Sequence, residues 1–319
     1  LGENPLTAIN AFKGFYIFAA GEVMCQADYL AIKFILRRFD AVRKIIILLI
    51  TCFILAVSAQ AAFAAKNYDL VLVHGLSNKH QWSDAFLKVC ANTWGSGNVY
   101  ILYLNSDNTV SERTVDGKKI ISIGKNDYSA GDDYVDAQAG MMAEKINILQ
   151  QSHGLSSQMD IIAHSMGGLV CRRYIYLKPN TVAGLVTLGT PHHGSPLADD
   201  LDWAGFFIGA EKAVENLKPS WVENFNKKYP VPGSLYNGGK IFTIRGDADG
   251  FIWEWGVLGE IYAGWNTLTL IHWTDSDGAV PKDSPLITGA THIADFWDYD
   301  HYELVREAAV ATKAAQYLP

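Results

Sequence analysis

Met159-Asp160-Ile161-Ile162-Ala163-His164-Ser165-Met166-Gly167-Gly168, residues 159–168, is the stretch on which the reading of this 319-residue chain turns. Residues 159–162 are short and mostly apolar, as a fully buried parallel strand should be, and 169–177 resume at helical spacing. The A-x-S-x-G pattern between them reads as a sharp strand-to-helix turn with Ser165 at its apex. A residue at such an apex has a strained backbone, so the positions two before and two after must be small; they are Ala163 and Gly167. The pattern alone is too short to be specific, since a serine capping a helix N-terminus looks the same. What gives it weight is order along the chain. His74-Gly75 follows an apolar run upstream, and acidic residues and then histidines follow the serine downstream.

With 49% hydrophobic residues the chain can bury one large core, and its composition suggests neither repeats nor disorder. A formal charge of −7 and no long basic run argue against nucleic acid as a partner.

Residues 42–65 read as a secretory signal. Arg43 and Lys44 supply the positive start, residues 45–57 the apolar run, and Ala62-Phe63-Ala64 the small-x-small cleavage pattern. Secretion to the periplasm or beyond is therefore expected. The competing reading is a membrane anchor over 45–65, which is uncharged and long enough to span a bilayer. Residues 1–41 are read as an upstream extension outside the native start, or as a helical segment around 29–38, and 66–319 as the folded domain. Of the cysteines past the signal, Cys90 and Cys171 fall in helices expected on opposite faces of the sheet, which favours two buried free thiols over a disulfide.

Apolar runs and helical patterns alternate as in a mostly parallel sheet covered on both faces. Strands are expected at 69–73, 99–104, 159–163, 185–188 and 240–245, and helices at 82–90, 133–151, 168–177 and 302–317. Two stretches break the alternation. Residues 196–236 hold two helical segments, one with Trp203, Phe206, Phe207 and Ile208 and one with Leu217, Trp221, Val222 and Phe225. Residues 250–273 are dense in tryptophan and tyrosine. Aromatics at this density read first as core, and second as an inserted helical lid over an apolar cleft.

Cleaving an ester or amide with a serine requires a base within hydrogen-bond reach, an acid to orient it, and donors for the oxyanion. Ser165 is the candidate nucleophile. His301, just before the last helix, is favoured over His292 as base because the base comes last in this order. Asp277, in a turn-rich loop, competes as the acid with Asp247 and Asp249, which directly follow a strand. The oxyanion donors are expected to be the backbone N–H groups of Leu76, after the His74-Gly75 turn, and of Met166. His74 and His164 read as structural, and His192 and His193 as shaping the cleft wall. Trp203, Phe206, Phe207 and His192 are the candidate substrate contacts.

Read together, HGL at 74–76, AHSMGG at 163–168, LGTPHHGSPLAD at 188–199, LKPSWVENFNKKYP at 217–230, SDGAVP at 276–281 and DHYEL at 300–304 resemble the secreted bacterial triacylglycerol lipases. The resemblance runs over most of residues 70–307. It implies an α/β-hydrolase fold, a mostly parallel central sheet with helices on both faces and a helical lid near 196–236. It also implies a triad of Ser165, Asp277 and His301, raising Asp277 over Asp247. Lipid or other ester substrates at a lipid–water interface are the implied partners, with a secretion foldase as a further candidate and a monomer expected. The chemistry itself needs no cofactor. Several relatives carry a structural calcium near the catalytic histidine, and here Glu303 with Asp247 or Asp249 would hold it. Two departures stand out: Ala163 replaces the glycine that other members have, and the tryptophan-rich insert at 250–273 has no counterpart in that pattern.

Overall fold

A computed structural model describes residues 65–78, 82–200, 209–248 and 259–319. The expected signal or anchor over 42–65, the segment 1–41, the aromatic side chains Trp203, Phe206 and Phe207, and Asp249 lie outside the described residues, apart from Ala65 at the edge. No described helix is long and apolar enough to cross a membrane.

Eight strands form one sheet: β1 Asp69–Val73, β2 Val99–Leu102, β3 Val110–Val115, β4 Lys118–Ile123, β5 Met159–His164, β6 Val182–Leu188, β7 Lys240–Asp247 and β8 Thr291–Trp297. Their order is β3-β4-β2-β1-β5-β6-β7-β8. Every neighbouring pair is parallel except β3 and β4, which pair antiparallel. The helices, numbered among the described residues, are α1 Asp84–Trp94, α2 Val135–Ser152, α3 Met166–Leu177, α4 Glu211–Glu215, α5 Pro219–Lys228, α6 Gly259–Leu270 and α7 Ala308–Ala315.

Successive side chains of a strand point to opposite faces, and the core divides accordingly. Val71 and Val73 face the layer made by α2, α3, α4 and α5, whereas Leu70 and Leu72 face α1 and α7. β1, β5 and β6 are buried almost throughout, because strands covered on both sides must be apolar on both. α1 is capped by Ser83, whose hydroxyl accepts from the N–H of Phe86 at 3.1 Å, and buries Phe86, Leu87, Cys90 and Trp94. Large apolar side chains buried this way contribute about 1.5–3 kcal/mol each before chain entropy is counted.

Cys90 and Cys171 are buried free thiols in the two opposite layers, and burial pushes both of their pKa values up. The second helical segment of the expected lid is α5. Val222 and Phe225, with Leu217 ahead of it, are buried in the core, so this part of the insertion packs as core.

Three strands were not expected from the sequence. β3 is largely exposed and polar, so it lacks an apolar signature, but Asp116-Gly117 at φ 52° and 75° is a hairpin turn legible as Asp-Gly. β8 is a half-exposed edge strand without strict alternation.

Asp160 on β5 is a fully buried carboxyl, and among the described residues neither of its oxygens has a well-aligned hydrogen-bond partner. Burial pushes its pKa up to about 8, although Lys66 and the Trp94 indole pull it down. Between roughly pH 4 and 8 the folded chain therefore holds a proton that the unfolded chain has released, and stability falls as pH rises, by up to about 1.4 kcal/mol per pH unit. Asp160→Asn is expected to flatten this part of the profile and raise the urea midpoint at pH 8, as measured by denaturation at stepped pH.

Candidate active site

Ser165 sits between β5 and α3 at φ 53°, ψ −133°, a backbone conformation that costs an L-residue about 1–3 kcal/mol. Its surroundings hold it there. Its N–H donates to the carbonyl of Leu188 at 2.8 Å, and its own carbonyl accepts from the Thr190 hydroxyl at 2.8 Å and the Gly168 N–H at 3.0 Å. Three glycines are needed for the segments to close on it. A Cβ at Gly167 would lie 2.3 Å from the His74 carbonyl oxygen, one at Gly168 2.1 Å from Thr190 Oγ1, and one at Gly75 2.6 Å from Ser165 Cβ.

The first turn, 74–76, is fixed by His74. The Leu104 N–H donates to His74 Nε2 at 2.9 Å, so the ring proton is on Nδ1 and donates to the Gly75 carbonyl at 2.7 Å. Burial lowers the His74 pKa to about 4, so the ring is neutral and structural, as its sequence position suggested. Leu76 and Ser165 line one cleft, and Met166 opens α3 directly after the serine.

The imidazole and the carboxylate come from neighbouring loops after β7 and β8. His301 Nδ1–H donates to Asp277 Oδ2 at 2.7 Å, and the His301 backbone N–H donates to the Asp277 carbonyl at 2.8 Å. The other carboxylate oxygen of Asp277 accepts from the N–H groups of Ala279 at 3.0 Å and Val280 at 2.7 Å. Asp277 is only 1% exposed, and its ring partner together with these two amides meets the hydrogen-bonding need of a buried carboxylate. His164 Nε2–H donates to the His301 carbonyl at 2.8 Å and its ring lies 4.5 Å from that of His301, so the residue preceding the serine also braces the histidine.

His301, Ser165, Ser195 and Tyr302 share the cleft with Leu76, Pro191, Leu217, Ile261, Ala279 and Val280; it encloses about 540 Å³ including its open mouth. This lining suits an apolar ligand chain beside a few polar atoms.

The sequence alternatives lie elsewhere. His292 on β8 contacts Thr243 at 2.9 Å and Asp295 at 3.0 Å, and Asp247 is paired with Lys282 at 2.6 Å. His193, expected to shape the cleft wall, donates to the Leu286 carbonyl at 2.8 Å instead. His192 requires correction as a substrate contact. It is fully buried, between Thr187 Oγ1 and the Arg172 guanidinium at 3.2 Å each, and burial and then Arg172 hold its pKa well below the usual range. Arg172 was not singled out in the sequence. It is buried with no carboxylate partner among the described residues, donates to Asn226 Oδ1 and the Tyr229 carbonyl at 2.8 Å each, and so ties α3 to the end of α5. A basic residue on the helix after the serine was the available signal.

Of the expected calcium ligands, Asp249 lies outside the described residues, and Asp247 and Glu303 are engaged in other contacts. Lys282 holds Asp247, and Glu303 accepts from the Asp300 N–H at 2.7 Å while Asp300 Oδ1 caps the N–H groups of Tyr302 and Glu303. Among the described residues no three His, Cys, Asp or Glu side chains form a metal-holding group.

Residues 124–229 match the family described as PGAP1-like alpha/beta domain. A triacylglycerol lipase of Burkholderia plantarii is 24% identical over 234 residues, 63% of this chain and 60% of its own length. One of Pseudarthrobacter phenanthrenivorans is 23% identical over 227 residues, 61% of this chain and 65% of its own length. Over these stretches the chain is similar to α/β-hydrolase lipases. The matched region spans under two thirds of the length of those curated relatives. Among solved structures, the mature Bacillus licheniformis lipase BlEst2 shares the fold with a TM-score of 0.57 and 20% identity, over 79% of this chain and 91% of its own. The likeness is one of fold, an α/β-hydrolase fold with the mostly parallel sheet described above.

Gly189, at φ 54°, leaves the space in which the acid and the ring meet, since a Cβ there would lie 2.9 Å from Asp277 Oδ2 and 3.2 Å from His301 Nδ1. Gly189→Ala is expected to force that bond open, seen in proton NMR as loss of the low-field imidazole N–H signal present in the parent.

Proposed function

We propose that the chain is a secreted serine ester hydrolase that cleaves acylglycerols through Ser165, His301 and Asp277. The observation that carries this is the 2.7 Å bond from His301 to a buried Asp277, in the cleft where Ser165 is held at its strained apex. Asp277 keeps the ring proton on Nδ1, which leaves Nε2 of His301 unprotonated to act as base.

In the forward step Nε2 takes the proton of Ser165 Oγ as that oxygen bonds to the ester carbonyl carbon. The N–H groups of Leu76 and Met166 receive the negative charge that develops on the carbonyl oxygen, and one such donor is typically worth about 3–4 kcal/mol. His301 then returns the proton to the departing alcohol, leaving an acyl group on Ser165. Water attacks that acyl carbon by the same route, giving the acid and free serine.

Acylglycerols are favoured over small polar esters because Leu76, Leu217, Ile261 and Val280 present apolar surface to the acyl chain. Trp203, Phe206 and Phe207, in the expected lid insertion, are kept as candidate substrate contacts and lie outside the described residues. The apolar run 45–57 and Ala62-Phe63-Ala64 support export.

Ser165→Ala is expected to lower kcat about 10⁶-fold, and Asp277→Asn about 10⁴-fold, on p-nitrophenyl esters. A series from acetate to palmitate should show higher kcat/KM for chains of four carbons or more, with no change on chelation. Undiminished turnover by Ser165→Ala would remove the proposed mechanism.

A further inference from the structure

α6 and the turn after it belong to the tryptophan-rich insert, and the hydrolytic chemistry uses only one of their residues, Ile261 in the cleft wall. At the far end of the helix Leu270 is 65% exposed, Ile271 64% and Trp273 87%, three large apolar side chains within four residues. Their backbone is firmly held. The Ile271 and His272 N–H groups donate to the Thr267 carbonyl at 2.9 and 3.2 Å, and the Thr274 N–H to that of Leu268 at 3.1 Å. His272 Nε2 meets Asp200 Oδ2 at 3.0 Å, fixing the turn to the chain segment that follows the Ser195 side of the cleft. Trp273 lies at φ 52°, which a bulky residue seldom adopts. Leu268 anchors the helix in the core below.

From these contacts we propose that Leu270, Ile271 and Trp273 form a wedge that docks the protein on an uncharged or zwitterionic lipid surface, orienting the cleft toward it. The inference rests on the reading of the cleft as a lipid-ester site and names the surface from which it draws substrate. Two observations select that occupant. The wedge is continuous with the cleft through a single helix, since Ile261 lines the cleft and the helix rises about 1.5 Å per residue toward the tip. The charges around it do not suit an anionic surface: Asp275 and Asp283 are largely exposed, and the nearby Lys282 is committed to Asp247 at 2.6 Å and Asp275 at 3.6 Å. Two aliphatic side chains and a tryptophan are also the residue types that favour the headgroup boundary. α6 rests on the acid-bearing turn as well. A Cβ at Gly278, at φ 91°, would lie 2.5 Å from Ile261 Cγ2 and 2.9 Å from the Ile261 carbonyl oxygen.

The full chain is mixed with phosphatidylcholine vesicles whose acyl chains carry bromine, and tryptophan emission is followed. Quenching of the parent, with loss of part of it in Trp273→Phe, is expected; equal quenching of the two proteins overturns the wedge. Replacing half the lipid with phosphatidylglycerol should weaken the quenching in low salt, and stronger quenching overturns the assignment of an uncharged surface. Leu270→Glu combined with Ile271→Glu should lower the rate on emulsified trioctanoin at least tenfold and leave kcat/KM on soluble p-nitrophenyl acetate within twofold. An equal loss on both substrates overturns the proposal, because the tip then acts on the cleft itself. Dissociation of a dimer by the double variant in sedimentation, with vesicle quenching unchanged, makes the tip a self-association face and also overturns it. A parent that hydrolyses neither substrate refutes the ester-hydrolase reading, while the quenching measurement still decides the docking surface.

Discussion

The crowding of backbone around Ser165 is the constraint from which the rest of the site follows. Its left-handed φ places the side chain at the top of the sheet, and hydrogen bonds from the strand β6 side and from Thr190 keep it there. Those bonds form only because the 74–76 turn, the start of α3 and the end of β6 approach without side chains between them, at Gly75, Gly167 and Gly168. The same approach carries Leu76 to the serine. Strain at the apex and the approach of Leu76, whose N–H is proposed as an oxyanion donor, are therefore two results of one packing arrangement.

Electrostatics around the elbow separates four histidines into different roles. His74 receives an N–H on one nitrogen and donates from the other to a carbonyl, and burial keeps it neutral. His192 lies beside the buried Arg172, which further disfavours a second positive charge. His164 braces the His301 carbonyl. Of the four, His301 is the one whose ring is bound to a carboxylate, and that carboxylate is fixed by the amides of its own turn. Of these four rings, only His301 has a counter-charge beside it for the imidazolium that the proposed mechanism requires.

Much of this was legible because it is local or ordered along the chain. The turn at 163–168, the strands at 69–73 and 159–163 and the two separated thiols depend on such patterns, whereas the choice of Asp277, which the structure shows bonded to His301, came from the family resemblance. The β3–β4 hairpin escaped because its outer strand is polar, although Asp116-Gly117 marked its turn. His192 was misassigned because a residue just past a strand end can point up into the cleft or down into the core. Which of these it does depends on Arg172 and Thr187, residues that sequence spacing does not bring to mind. Asp247, one of the two aspartates weighed for calcium, was hard to judge for a similar reason, since an aspartate's availability depends on whether a distant lysine already occupies it.

The connection from β7 to β8 holds Asp277 rigidly by contacts separate from most of the cleft wall beside it. It carries α6 as well as Asp277, with Gly278 pressed against Ile261. The acid itself is tied back to the sheet by bonds that do not involve α6: its carboxylate to the Ala279 and Val280 amides, its carbonyl to the His301 N–H, and the Ala248 N–H to the Ser276 carbonyl at 3.0 Å. Changes along the outer surface of α6 can alter what the helix touches without loosening these bonds. Changes at Ile261 cannot, because that side chain meets both the substrate space and the acid turn. The boundary between the part of α6 tied to the acid turn and its outer surface therefore falls within the first turn of that helix.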